Sequence, residues 1–331
     1  MKSKVNIKTI AELAGVSVAT VSRVINQNGR FSAETEATVK RVMEELHYVP
    51  NTVAKGLREN RTKVIGVIVP DITNPHFAKF VLEIETKLFE YSYSTVICNT
   101  NESVELEQKH VDTLISKRVD GIIFISGIGH YYLDDIATVY VDRRPDGYDE
   151  QKLCIVESDN ENGGYLAAKK LIECGCHDIA ILYSYHMDFN QKMRYKGYKK
   201  ALKEAGLTEQ TIDVKVISAP AATEAVKNHI ENGNHFDGLV CTTDTLAVGA
   251  ILALQEIGLR VPEDVKLTGF DDSTLASLYT PSISSIRQMV SLMAEKAVEN
   301  LMAIIEDEDI ETLLHVLPVR LVERETTSIT K

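Results

Sequence analysis

The sequence predicts two folds in one chain: a small all-α head and, behind it, a larger α/β body of two lobes. Three observations predict it. The first sixty residues carry three short apolar stripes at helical spacing. From Lys63 onward, strand-length apolar runs alternate with amphipathic helical stretches, and the alternation restarts after Asp159. Charge divides at the same place. Residues 1–62 hold ten Lys and Arg against six Glu and no Asp, a net +4; the whole chain carries −12, so residues 63–331 sum to −16. A basic head on an acidic body suits a head that touches phosphates and a body that stays off them.

In the head, Ile10, Leu13 and Ala14 form one stripe, and Val21, Val24 and Ile25 a second. Ala11 and Gly15 are small enough to let these helices cross closely. Ser17 is placed to cap the second helix. Val18, Ala19, Ser22 and Arg23 then face outward near its start. Asn28-Gly29 breaks the chain, and Ser32 can cap a third helix with the stripe Val39, Val42, Met43 and Leu46, which Pro50 is expected to stop. Two helices meeting at a Gly-containing turn, the second with a small polar outer face and an Arg, is the layout of a helix-turn-helix. Its second helix enters the DNA major groove. Residues 51–58 would add two turns of helix, too short to be stable alone and weakened by Gly56. They read as a flexible linker, or as a hinge that folds on DNA and wedges Leu57 into a minor-groove step.

In the body, strands are expected at 64–69, 95–98, 121–125 and 139–141, with helices at 77–91 and 106–116. After Asp159 come helix 164–174, strand 179–183, helix 193–205, strand 214–217, helix 224–232, strand 238–241, helix 246–257 and strand 265–269. Helix 289–305 and a late strand at 317–321 close the chain. Open parallel sheets bind ligands at the C-terminal ends of their strands. The polar residues there are the candidates: 71–74, 99–101, Asp142 and Arg143, Thr243 and Asp244, Asp271 and Asp272. Carboxylates accept from hydroxyl groups, and Arg and Asn donate to ring and hydroxyl oxygens, so the set suits a ligand with many hydroxyls.

Several function classes fall away. The start of the chain is polar and its apolar runs are too short to span a bilayer, so a cytoplasmic protein is expected. The five Cys are odd in number and scattered. Cys174-Gly175-Cys176 has no second pair nearby, so reduced thiols, with no metal and no cofactor, are expected. There is no GxSxG elbow, Walker A loop, GxGxxG or HExxH. Gly127-Ile128-Gly129 lacks the third Gly, and adjacent Asp271 and Asp272 would diverge on a loop. An enzyme is therefore not expected. An exported sugar-binding protein would share the body but has no use for the head.

The run Val16-Ser17-Val18-Ala19-Thr20-Val21-Ser22-Arg23-Val24, followed by Tyr48-Val49-Pro50-Asn51 and Val53-Ala54-Lys55-Gly56-Leu57, resembles the lactose-repressor (LacI) family of bacterial transcription regulators. The similarity continues to the C-terminus, and the pattern is most similar to the ribose- and sucrose-type members. The resemblance implies an N-terminal helix-turn-helix with a hinge helix and a two-lobed periplasmic-binding-protein-like core. Domains would be 1–50, 51–62 and 63–331. One lobe would take about 63–159 and 290–317, the other about 160–289 and 318–331. The resemblance makes Val18, Ala19 and Arg23 the base-reading positions. Thr20, Ser22 and Asn26 would lie near the backbone, Ala54 and Leu57 in the minor groove, and Thr9, Ser17 and Asn51 would also bind DNA. Asn74, His76, Phe77, Asn101, Asp142, Arg143, Arg194, Thr243, Asp271 and Gln288 would line the effector cleft. His76 stands where relatives often carry a further aromatic ring, Thr243 where Asn or Gly is common, and residues 218–222 lack a sugar-stacking ring. The partners implied are a pseudo-palindromic operator, a sugar or sugar-phosphate effector and a second copy of the chain; without a leucine-heptad tail, a dimer is expected. The implied function is repression of a carbohydrate operon. The alternative is global carbon regulation through a phosphorylated carrier protein.

Overall fold

The structure is a computed structural model that describes residues 5–48, 61–125, 127–129, 131, 133, 136–145, 153–184 and 188–328. The head and the body are separate compact units that divide between Thr62 and Lys63.

The head holds α1 (Ile7–Ala14), α2 (Val18–Ile25) and α3 (Ala33–Glu45). Each start is capped. Asn6 accepts from the Lys8 and Thr9 amides, Ser17 from Thr20 and Ser32 from Thr35, satisfying donors that the first helical turn leaves open. Gly15, left-handed at φ 67°, ends α1 and begins the turn. Ile10, Ala11, Val21, Val24, Val39 and Val42 form the core, with Met43, Leu46 and Tyr48 packed on it. Two expectations are corrected. Leu13 is 61% exposed. The buried stripe of α1 runs along Ile7, Ile10, Ala11 and Ala14, and Leu13 lies past its edge. The third helix ends at Glu45 rather than at Pro50: His47 turns left-handed at φ 48°, and the Tyr48 amide bonds back to the Met43 carbonyl. Pro50 and the hinge residues Asn51, Ala54 and Leu57 lie outside the described residues.

The body contains two six-stranded sheets. The first comprises β1 (Val64–Val69), β2 (Ser94–Asn99), β3 (Gly121–Ile125), β4 (Ala137–Asp142), β5 (Cys154–Ser158) and β11 (Leu314–Leu317), in the order β11-β5-β4-β3-β1-β2 and parallel throughout. The second comprises β6 (Ile179–Ser184), β7 (Gln210–Val214), β8 (Gly238–Cys241), β9 (Lys266–Asp271), β10 (Ser284–Arg287) and β12 (Arg320–Val322), in the order β12-β10-β9-β8-β6-β7; only β12 is antiparallel to its neighbour. The chain passes between the sheets three times, after β5, β10 and β11. Apolar runs such as Val64–Val69 are buried on both faces because helices cover both sides. On the first sheet, α4 (Pro75–Glu90) and α11 (Val290–Ile305) press Phe80, Ile84, Met293, Ala297 and Leu301 onto one face, and α5 (Val104–Ser116) brings Val111 and Leu114 to the other. The second sheet is covered by α6 (Asn160–Glu173) and α7 (Phe189–Ala205) on one side, and by α8 (Ala219–Glu231) and α9 (Asp244–Glu256) on the other.

The expected alternation is present; besides earlier starts of several helices, such as Phe189 for 193 and Ala219 for 224, three differences stand out. The strand read at 214–217 lies at Gln210–Val214, where Ile212 and Val214 point inward and Thr211 and Asp213 outward. The single late strand is two, β11 and β12, in different sheets. Strands β5 and β10 and the short helix α10 (Thr274–Leu278) were not expected; each is five residues or fewer.

Candidate functional site

In the head, α2 presents Val18, Ala19 and Arg23 to solvent. The Arg23 side chain lies along Gly29, where a Cβ would come within 3.3 Å of its Cδ. Ser17 and Thr20 share a hydroxyl contact of 2.9 Å. Ser22, Thr20 and Thr9 are half-buried. The Asn26 amide donates to the Ser22 carbonyl at 2.8 Å, so this residue closes the end of α2.

In the body, the C-terminal ends of both sheets open on one cavity of about 570 Å³. Local sequence places its walls. Asn74 caps α4 by accepting from the His76 amide at 3.0 Å, and Pro75, which needs no amide partner, follows it. His76 and Phe77 are thereby set on the first turn of α4, facing the cavity. Asp142 ends β4 and Asp271 ends β9, both left-handed, at φ 74° and 104°. Such backbone costs about 1–3 kcal/mol and is held where a side chain has a task. Helices α6 and α7 cross at Gly164 and Gly197, where a Cβ would fall 1.9 Å from the Arg194 and Glu161 carbonyl oxygens respectively. That approach brings Arg194 Nε to Asn160 Oδ1 at 2.8 Å.

Around Arg194 the polar groups interlock. Its Nη1 donates to the Thr242 carbonyl at 2.6 Å, its plane lies 3.6 Å over the Phe270 ring, and its Nη2 is 3.8 Å from Asp271 Oδ1. Gln288 Nε2 donates to the same Asp271 oxygen at 2.8 Å. Asn160 bonds Asn190, which donates to the Asp142 carbonyl at 3.2 Å and so joins the two lobes. Arg143 bridges them as well, with Nη1 on Asp188 at 2.8 Å and Nη2 on Glu102 at 2.9 Å. Thr243 caps α9, and Asp244 behind it accepts from Ser285 Oγ at 2.6 Å and the Ser273 amide at 2.7 Å.

Burial is the first influence on the carboxylates. It pushes Asp244 up to about 7, with the Asp271 charge adding to it. It raises Asp271 too, against the opposing pull of His76 and Arg194. At His76, burial disfavours the cation, but the Asp271 charge and the Asp142 hydrogen bond prevail and lift it above the usual range.

Of the residues singled out from the sequence, Asn74, His76, Phe77, Asn101, Asp142, Arg143, Arg194, Thr243 and Asp271 line the cavity. Gln288 does not line it; it stands behind, positioning Asp271. Glu102, Ser184, Asp188, Asn190, Gln191 and the Lys215-Val216-Ile217 segment also line the wall and were not foreseen. The strand-end rule covers Ser184 and 188–191. They were missed because α7 begins at Phe189 rather than 193, and Lys215 because β7 ends at Val214. Among the described residues no three His, Cys, Asp or Glu side chains are grouped to hold a metal ion, and no helix is long and apolar enough to cross a membrane.

Comparison with known proteins agrees with both halves. Residues 6–51 match the model of bacterial regulatory proteins of the lacI family, and residues 168–327 the model of a periplasmic binding protein-like domain. The chain is similar to a ribose operon repressor of Halalkalibacterium halodurans, 33% identical across 97% of this chain and 96% of that one. It is also similar to an HTH-type transcriptional repressor PurR of Vibrio atlanticus, 36% identical across 97% and 98%. Among solved structures it superposes on the lac repressor dimer bound to operator and the anti-inducer ONPF, with a TM-score of 0.84 and 28% identity over 98% of this chain and 99% of that one. A capped helix-turn-helix with an exposed second helix, joined to a two-sheet body around a polar cleft, agrees with these relatives, and the chain belongs to the LacI family of bacterial transcription regulators: it is a DNA-binding regulator and not an enzyme.

Proposed function

We propose that the cleft binds an uncharged, hydroxyl-rich ligand, a sugar, and that this ligand sets how tightly paired heads hold an operator. The observation that carries the reading is the charge balance of the wall. Asp71, Glu102, Asp142, Asp188 and Asp271 face Arg143, Arg194, Lys215 and His76. Both guanidiniums are already engaged, Arg143 by two carboxylates and Arg194 by an amide oxygen and a carbonyl. A phosphate ester would enter against this surplus of carboxylates, whereas sugar hydroxyls donate to them directly. The expectation of a sugar or a sugar phosphate therefore narrows to the neutral form. The name of the ribose operon repressor relative points the same way.

In this reading the protein is a cytoplasmic homodimer that represses a carbohydrate operon. Val18, Ala19 and Arg23 read bases in each half of a pseudo-palindromic site. Thr9, Ser17, Thr20, Ser22, Asn26 and Asn51 approach the backbone, and Ala54 and Leu57 occupy the minor groove between the halves. The ligand acts by linkage: it shifts operator affinity only as far as it prefers one lobe arrangement over the other. Release from the operator is the expected sign.

A thermal-shift screen of the full chain against D-ribose, D-fructose, sucrose and D-ribose 5-phosphate tests this. A neutral sugar should raise the melting temperature and the phosphate should not. Asp271→Ala should lose that shift while gel-shift binding to operator DNA survives. A response to the phosphate alone would overturn the neutral-ligand reading, and a normal shift in Asp271→Ala would overturn the placement of the ligand in the cleft.

A further inference from the structure

His76 is buried at the mouth of α4, and carboxylates from both lobes face its ring. Its Nε2 lies 3.3 Å from Asp142 Oδ1, at the end of β4 in its own lobe. Its Nδ1 lies 3.9 Å from Asp271 Oδ1, at the end of β9 in the other. Gln288 Nε2, which follows β10 and is committed to Asp271, is also 3.3 Å from the ring Nε2. The other groups facing the ring are Arg194 of α7, which opposes its charge, and the rings of Phe77 and Phe80 on α4 itself, 5.5 and 5.2 Å away. Asp244 of α9 lies behind Asp271 and acts on it electrostatically.

A neutral imidazole donates from one nitrogen only. Its other nitrogen would set a lone pair towards a carboxylate. The imidazolium donates from Nε2 to Asp142 and places one positive charge between two buried negative ones, with Asp271 at 3.9 Å held by charge rather than by a hydrogen bond. Separating the lobes carries Asp271 away from His76; the solvent it admits relieves burial but also screens Asp142, so the loss of Asp271 is what removes the reason for the extra proton.

We propose that His76 is a proton-linked latch between the lobes, charged and facing Asp142 and Asp271 when the cleft is closed, and giving up its proton as the lobes part. The raised pKa of the ring agrees with this geometry. The sign follows from linkage: the contribution is fully present below the ordinary histidine value and lost as pH rises through the raised one. A ligand that needs the closed cleft inherits the proton. Between the ordinary value of the open cleft and the raised value of the closed one its affinity falls by up to about tenfold per pH unit and then levels off, so the regulator senses acidity together with its effector. The inference rests on the cleft of the proposed function but not on the identity of its ligand.

The test therefore uses the full chain without ligand. Urea unfolding of the body is followed from about pH 6.5 to 9, a window that brackets histidine titration, for the wild type, His76→Gln and Asp271→Asn. The wild-type midpoint should fall across this window. His76→Gln should reduce that fall, leaving the share of Asp244 near pH 7, and Asp271→Asn should move the remainder to lower pH. Parallel curves for wild type and His76→Gln would overturn the latch. Should His76→Gln fail to fold, ring nitrogen NMR of ¹⁵N-histidine-labelled wild type decides: one ring must titrate above the ordinary histidine value of about 6.5, and the absence of any such ring overturns the proposal. Failure of either measurement leaves the sugar screen untouched, and a negative sugar screen leaves these measurements valid.

Discussion

Gly197→Ala should destabilise the body and weaken the ligand cleft although it adds a single methyl group. The new Cβ would sit 1.9 Å from the Glu161 carbonyl oxygen and 2.6 Å from the Tyr165 amide nitrogen, atoms of two residues one turn apart on α6. Ordinary contact begins near 3.4 Å. Backbone cannot rotate aside like a side chain, so the helices must separate by roughly 1.5 Å. Overpacking of this kind costs about 1–3 kcal/mol, and a backbone obstacle puts this site at the upper end. Alanine returns about 1 kcal/mol through its better helix propensity. The net loss is about 2 kcal/mol, or about 4–8 °C in melting temperature for a body of this size. The same separation pulls Arg194 from Asn160, whose 2.8 Å bond depends on the close crossing. The thermal shift caused by the ligand should therefore shrink as well. Gly175→Ala is the control: nothing lies within 4 Å of the added carbon, and only the left-handed backbone at φ 84° resists it, at about 1 kcal/mol. Differential scanning calorimetry reads both variants. Gly197→Ala melting at or above the wild type, or no lower than Gly175→Ala, would refute the close-crossing argument.

In the head, Ser17→Ala removes the acceptor for the Thr20 amide; it should lower head stability by about 1 kcal/mol, visible as an earlier helical melt by circular dichroism. Arg23→Ala should lower specific operator affinity by about 1–3 kcal/mol, with relaxed preference at one base pair in each half-site in a gel-shift series. Asp244 has a folded pKa of about 7, above its unfolded value of 3.8, so its contribution to stability is present in acid and lost as pH rises towards 7. Asp244→Asn should flatten the fall in urea midpoint between about pH 5 and 7.5; an unchanged slope would remove Asp244 as its source.

How much was legible in the sequence follows the range of each force. The cap residues Ser17 and Ser32 act within three positions of themselves, and the helix starts of the head could be read from them. Short strands such as Cys154–Ser158 and Ser284–Arg287 could not, because Glu157 and Ser158 in one, and Ser284, Ser285 and Arg287 in the other, break the apolar run that makes 121–125 and 238–241 legible. Boundary shifts of a few residues were enough to hide Asn190 and Lys215, both on the cavity wall.

The sequence by itself determined the type and order of most elements, the outward face of Val18, Ala19 and Arg23, and the polar residues available at the strand ends. Each of these depends on spacing along the chain, which periodicity and capping report directly. Tertiary structure alone decided which of those residues meet. The pairing of Asp142 with Asp271 around His76 needs the strand order of two sheets and the crossings after β5 and β10. The placement of Arg194 needs the contact of Gly164 and Gly197 on two helices, and Gln288 is turned behind Asp271 by the same folding. These outcomes come from packing between segments far apart in sequence. No local pattern encodes them, and they set the charge balance from which the ligand class is inferred.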